Sequence, residues 1–475
     1  MNLPSVLTNL WGSFQSRISL GRRRESASPT LPTAVTACES RQLLVAGGLD
    51  TTFADGTGQT STRFDNGGYD TDLAQAVALQ KDGKIVVVGS VEVADGARIW
   101  GIARYTTSGK LDTTFAGGIG KKTISPSRFP RVSDEVRGVA IQSDGKIVIV
   151  GHIENGNTSG YHDFVVVRLN KDGSTDTTFN VTGMQIISFG RNDRAYGVAI
   201  QKDGKIVVAG TTEDSTLTNM AVVRLNTNGT LDTTFDGDGK RTFTFNATGT
   251  GATSGTATYC RAIQIQPDGK IVLAGGYKGA GTADYDFAVA RLKTDGSFDT
   301  SFDLDGKRTI GFDIGVSSSN DNDFANAIDF AGNKIVVAGR ATYNGADMDI
   351  AVTRLNLNGS VDTTFSGDGK STIAFNLGGN RWDEAKAVRV QADGKVVLSG
   401  MAKSTNTEHD YILVRMNKNG TLDTTFNGTG KVRSNLAGND SSEALVIQSN
   451  GRIIGVGYAT PFGDYDFGIA RFLSK

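Results

Sequence analysis

The 475-residue chain has three histidines, His152, His162 and His409. General acid–base work would fall on these imidazoles or on carboxylates, since few other side chains change charge near neutral pH. His162 and His409 directly precede aspartates, Asp163 and Asp410. Arg381-Trp382-Asp383 sets an indole able to stack on a sugar or peptide ring between groups able to hydrogen-bond hydroxyls. Tyr259 and Arg261 add a phenol and a guanidinium in the one repeat where a recurring aspartate is replaced by Thr258. The candidate ligand-binding residues are therefore Arg381, Trp382, Tyr259, Arg261, His152, His162 and His409. None is assigned a catalytic or metal-ligating role. No G-x-S-x-G, H-E-x-x-H, P-loop or glycine-rich dinucleotide fingerprint occurs, so no cofactor is implied. Asp236-Gly237-Asp238-Gly239 and Asp303-Leu304-Asp305-Gly306 open like calcium loops. Their twelfth positions are Ala247 and Ile314, where such a loop needs a bidentate Glu, and turn chemistry accounts for them better.

Other charged residues recur too regularly to form one site. Arg104, Arg168, Arg224, Arg291, Arg354 and Arg415 are each followed eight residues later by an aspartate: Asp112, Asp176, Asp232, Asp299, Asp362 and Asp423. Arg471 and Asp50 are the unmatched members of the set. A guanidinium forking onto a carboxylate explains this spacing better than a basic, anion-binding ring. A second register reads Asp72, Asp134, Asp193, Thr258, Asp323, Asp383 and Asp440. These carboxylates either ring a channel and hold a hard cation, or cap backbone N–H groups at loop-to-strand corners. The cap is the simpler reading.

The elements that must position these groups come from repeats. Q-x-D-G-K followed by an apolar run recurs about every 61 residues between Gln80 and Gln448, with degenerate copies at Ala331–Lys334 and Gln448–Arg452. D-T-T-F or a close variant also occurs seven times. Each period reads as four short strands, with D-G as the first hairpin turn, and no sustained helical period is present. The last repeat stops after its third strand, while residues 57–65 supply an orphan fourth strand. The fold expected is all-β: a seven-bladed β-propeller of four strands per blade, its ring closed by strand 57–65 joining the C-terminal three strands.

Q-x-D-G-K-I-V-V-A-G paired with D-F-x-x-x-R-L-N-x-x-G-x-L-D-T-T-F resembles the Delta-60 repeat of bacterial, often secreted proteins. The resemblance covers residues 47–475 and implies a propeller-like repeat and an extracytoplasmic setting. It brings no catalytic residues. Residues 1–46 differ in composition: five arginines, no lysine and a Ser/Thr/Pro-rich stretch. Glu39-Ser40-Arg41-Gln42-Leu43-Leu44 resembles the E-x-R-x-L-L leader of planctomycete exported proteins. We therefore divide the chain into a basic leader or disordered segment, 1–46, and a propeller, 47–475.

Composition agrees. Gly is abundant (61) and Pro scarce (7), and 38% hydrophobic residues with 23 Phe suffice for a core. Lys+Arg 49 against Asp+Glu 50 gives no pull toward nucleic acid. Two cysteines form no disulfide framework or zinc motif, and no apolar run is long enough to span a membrane as a helix. The turns joining strands one to two and three to four are nearly constant. The other connections vary, and His152, His162, His409, Tyr259, Arg261, Arg381 and Trp382 gather on that variable face. The expected function is a monomeric, non-enzymatic propeller, extracellular or at a bacterial cell surface, binding a glycan, peptide or protein there. The alternative is a glycan-active lyase or hydrolase with its site at the mouth of the central channel.

Overall fold

Runs such as Ile85–Glu92 and Ile147–Glu154 are buried on both faces along nearly their whole length. Such a strand must lie inside a sheet that is itself covered on both sides. The computed structural model describes residues 45–475 except 66–70, 95, 128–133, 155–160, 215, 246–255, 281, 283, 313, 315–320, 344–346, 378–381, 404–407, 437 and 462. The leader up to residue 44, with Cys38, and the candidate Arg381 lie outside the described residues.

Among the described residues the chain is all-β, with only two short 3-10 turns. It builds seven four-stranded antiparallel units, consistent with a seven-bladed propeller. The first strands of units 1 to 7 are Asp72–Leu79, Glu135–Ile141, Asn192–Ile200, Ala257–Ile265, Phe324–Ala331, Asp383–Val390 and Ser441–Ile447. Fourth strands are only four residues long, as in Lys121–Ile124 and Lys240–Phe243. In unit 7 the fourth strand is Gln59–Thr62, paired with the third strand Asp466–Phe472 from Gln59↔Ala470 to Thr62↔Phe467. The orphan strand is thus shorter than the expected 57–65. Units 3 and 4 also share one parallel bridge, Thr218↔Ala257.

Seven apolar clusters form the core, and each is shared between two neighbouring units. Val86, Val88 and Trp100 of unit 1 pack with Ile147, Ile149 and Val165 of unit 2. Ile85 and Val87 of unit 1 likewise pack with Val456 and Phe467 of unit 7. No unit buries its own faces alone.

A polar clasp runs beside this core. Nε of Arg104 donates to Oδ2 of Asp112 at 2.7 Å, and the same geometry recurs for Arg168–Asp176 (2.6 Å), Arg354–Asp362 (2.7 Å) and Arg415–Asp423 (2.6 Å). In unit 7 the pair is Arg471–Asp50, 2.9 Å apart across 421 residues of sequence. Each carboxylate takes a second cation from the Q-x-D-G-K turn, such as Lys84 on Asp112 at 2.8 Å and Lys395 on Asp423 at 2.8 Å. The guanidinium also lies over the phenylalanine of D-T-T-F, 4.6 Å from the Phe115 ring for Arg104 and 4.4 Å from Phe426 for Arg415.

The clasp also leaves its own unit. Nη1 of Arg104 donates to the Lys171 carbonyl of unit 2, Arg168 to Thr227 of unit 3 and Arg224 to Thr294 of unit 4. Arg291 reaches Leu357, Arg354 reaches Lys418 and Arg415 reaches Ser474. Arg471 of unit 7 donates to the Thr107 carbonyl of unit 1 at 2.7 Å. The receiving turn must come close: a Cβ on Gly173, whose φ is +88°, would lie 2.6 Å from the Phe115 ring.

Asp362 is 3% exposed and Arg354 8%. Burial pushes the Asp362 carboxyl up, but Thr364, Arg354 and Lys334 outweigh it and hold it at about 2. Asp362→Ala strands a buried guanidinium, so chemical denaturation of this variant is expected to show a loss of about 3 kcal/mol. The corner aspartates Asp72, Asp134 and Asp193 shift the other way. Burial lifts the Asp72 and Asp134 carboxyls to about 6, against the N–H groups of Phe64 and Ser127. A folded pKa above the ordinary 3.8 gives stability that is present below that value and lost as pH rises through about 6. The Asn side chain keeps the cap without the charge. Melting curves should therefore show that Asp134→Asn reduces the stability loss of the native protein between about pH 4 and pH 6.

Candidate functional site

The corner aspartates act as caps. Oδ2 of Asp72 accepts the Phe64 N–H at 2.7 Å, and Asp193, Asp323, Asp383 and Asp440 do the same for Phe189, Phe312, Phe375 and Leu436. Thr258 replaces the carboxylate with Oγ1, 3.5 Å from the Phe245 nitrogen. Among the described residues no group of three or more His, Cys, Asp or Glu is arranged to hold a metal ion. Asp238 and Asp305 accept the backbone N–H of Lys240 and Lys307, which is turn chemistry.

Three residues beyond each corner, every first strand bulges. The register skips Gln75, Arg137, Tyr196, Arg261, Asn326, Lys386 and Glu443. The bulge presses a first-strand carbonyl onto a second-strand glycine. A Cβ on Gly89 would meet the Leu73 oxygen at 2.1 Å, and one on Gly275 the Tyr259 oxygen at 1.8 Å. The glycine that ends I-V-V-A-G therefore permits the bulge, and the bulge re-aims one side chain per unit. The first strands of all seven units line a central cavity of about 460 Å³, whose walls include Gln75, Arg137, Tyr196, Asn326, Lys386 and Glu443.

At the bulge register the scaffold repeats its backbone while the side chains vary, with only arginine used twice. They assemble into a ladder of cations and rings. Arg137 and Arg261 both lie over the Tyr196 ring, each 5.8 Å from its centre. Arg261 also lies 5.7 Å from the Phe324 ring, and Arg340 lies 5.2 Å from the same ring. Tyr285 packs on Phe324 at 4.7 Å and on Tyr259 at 5.8 Å, and burial pushes its hydroxyl up to about 12.

His152 stands beside this ladder, in the second strand of unit 2 and only 2% exposed. Its Nε2 is 3.6 Å from Glu135, and its ring is 5.2 Å from His162 and 6.5 Å from Tyr196. Burial, then Arg137, His162 and Arg194, holds the imidazole well below its usual range, so it is neutral at pH 7. His162 Nδ1 lies 2.9 Å from the Asn192 side-chain oxygen. His162 and His409 are the first residues of their third strands rather than loop residues, because the ladder to the second strand extends to Glu154↔His162 and Lys403↔His409.

The candidates thus fall into two groups. His152, His162, Tyr259 and Arg261 join the ladder of units 2 to 5. Trp382 and His409 form a second group in unit 6, rings edge to face 6.2 Å apart, with Trp382 36% exposed. Burial, then Lys403 and Lys386, lowers the His409 pKa. Between the groups lies Glu384, fully buried, held at about 2 despite burial by Lys386 (2.8 Å) and Arg340 (2.8 Å), with Asn326 donating at 2.8 Å. Sequence reasoning missed Glu135, Arg137, Tyr196, Phe324, Arg340 and Glu384. For Arg137 and Tyr196 a signal was present: the position three after the corner residue varies among amide, cation, ring and carboxylate from repeat to repeat.

Similarity to known proteins bears on the fold. No curated protein matches the chain. Among solved structures, the chain is similar to polysaccharide lyase Uly1, with 11% identity, TM-score 0.47 and coverage of 84% of this chain and 90% of that one. It is also similar to a protein of unknown function from Dyadobacter fermentans, with 11% identity, TM-score 0.41 and coverage of 74% and 97%. A third is the alpha-L-arabinofuranosidase Arb93A from Fusarium graminearum, with 11% identity, TM-score 0.43 and coverage of 73% and 94%. The family described as Domain of unknown function (DUF5122) beta-propeller matches residues 80–115, 142–179, 201–235, 266–302, 333–365, 391–426 and 448–474. With these seven repeats spanning just over half of its length, the chain belongs to that β-propeller family.

Proposed function

We propose that residues 47–475 form a closed seven-bladed propeller of the Delta-60 type that works as a binding module, taking a glycan, peptide or protein on its variable face. Residues 1–46 act in this reading as a leader like that of planctomycete exported proteins, which places the propeller outside the cell or at a bacterial surface. Closure is supported by the reach of Arg471 to Thr107 and by the Gln59–Thr62 strand in unit 7. Binding rests on one observation: at the bulge register the backbone repeats while the side chains take six types across seven units. A scaffold needs no such variety, whereas a ligand site does.

The second reading, a glycan-active lyase or hydrolase, draws on the neutral His152 beside Glu135 and near Tyr196. Proton transfer needs such a group within hydrogen-bond reach of substrate. In the native protein this imidazole is buried, which favours binding.

Two measurements test the proposal. Deleting residues 47–66 removes a strand and the Asp50 clasp, so the melting temperature should fall steeply, whereas deleting 1–40 should leave it nearly unchanged. In binding assays against a polysaccharide library, Trp382→Ala should weaken the captured glycan by about 1 kcal/mol without lowering the melting temperature. Unfolding of Trp382→Ala, or unaltered affinity, overturns the assignment of Trp382. Release of shortened or unsaturated chains that disappears in His152→Gln establishes the enzymatic reading instead.

A further inference from the structure

The ladder alternates guanidinium and ring: Arg137, Tyr196, Arg261, Phe324, Arg340. Its outer cations are compensated, Arg137 by Glu135 and Arg340 by Glu384 at 2.8 Å. The neighbouring Arg194 is paired too, with Glu213 at 3.0 Å. Arg261 differs. It is half-buried, and no carboxylate among the described residues forms an ion pair with it. Tyr196 from unit 3 and Phe324 from unit 5 fix it on two sides.

A guanidinium lying over rings keeps its N–H donors in its own plane, where they form a fork for a carboxylate or another oxyanion. Rings on two sides also restrict its rotamers before a ligand arrives, which lowers the ordering cost of binding. Tyr259 and Tyr285, 6.1 and 4.7 Å from the Phe324 ring on which Arg261 lies, add hydrogen-bonding groups suited to hydroxyls.

Resting on the binding reading above, we infer that Arg261 is the anion receptor of this site, and that its ligand is an acidic glycan whose carboxylate or sulfate ester docks on the Arg261 fork between Tyr196 and Phe324. Tyr196 and Phe324 are positioning residues, holding the guanidinium without touching the oxyanion.

The test uses the full chain and titration calorimetry at about 0.15 M salt, so that diffuse surface attraction is screened. The probes are a tetramer of galacturonate, its methyl ester, a sulfated neutral tetramer and the unmodified neutral tetramer. The acid should bind at least ten-fold tighter than its ester. Arg261→Gln should abolish that preference, and Arg261→Lys should restore only part of it, since an ammonium cannot fork. The exposed Lys110→Gln should leave it intact. The Arg261→Gln melting temperature should match that of the native protein, because no internal carboxylate loses its partner.

A sulfated tetramer that binds with the same dependence on Arg261 supports the shared oxyanion chemistry, and one that does not assigns the carboxylate alone. Equal binding of acid and ester, or a preference that survives Arg261→Gln, overturns the inference while leaving glycan binding standing. Failure of all four probes together, with capture only of a peptide bearing a free carboxylate, overturns both the glycan assignment and this inference.

Discussion

One carboxylate per unit carries most of the architecture. Asp112 and its counterparts accept from an arginine of their own third strand and a lysine of the Q-x-D-G-K turn, while Thr114 donates both its N–H and its hydroxyl to the other oxygen. The carboxylate therefore locks the direction of the guanidinium, and that direction decides what Nη1 meets: a turn carbonyl in the next unit. A buried pair is a weak source of stability in itself, because desolvation offsets much of the attraction. Its value here is register. The apolar clusters between units are non-directional, whereas the clasp sets how one sheet sits on the next.

The second constraint is the glycine that ends the second strand's apolar run. It admits the carbonyl of the bulge, and in six of the seven units the bulge residue lines the central cavity. Scaffold and site are thereby coupled through backbone geometry alone. The glycine is the same in every unit, and the residue it exposes is free to differ.

Charge follows the same division. In the clasp, cations and carboxylates are matched unit by unit, with Arg415 and Lys395 sharing Asp423. Along the ladder the matching is irregular: Arg340 of unit 5 reaches Glu384 of unit 6, whereas Arg137 pairs with Glu135 of its own unit. Repeated pairs hold the frame, whereas unrepeated pairs and rings shape the ladder.

Much of this was legible along the chain. The period of the D-G turns gives the unit, the short apolar runs give its strands, and the eight-residue interval from Arg354 to Asp362 gives the pair, because partners so close in sequence can meet only one way round a turn. The corner aspartates were readable as caps for the same local reason. The carbonyl each arginine seizes in the next unit was not, since it lies some sixty residues away and depends on how two sheets stack. Nor was the company of Arg261. Tyr196, Phe324 and Arg340 come from other units, and a strand residue's partners across an inter-sheet gap are set by the bulge and the packing of both sheets. Interactions that span a turn are written in sequence order, whereas those between sheets exist only once the sheets have packed.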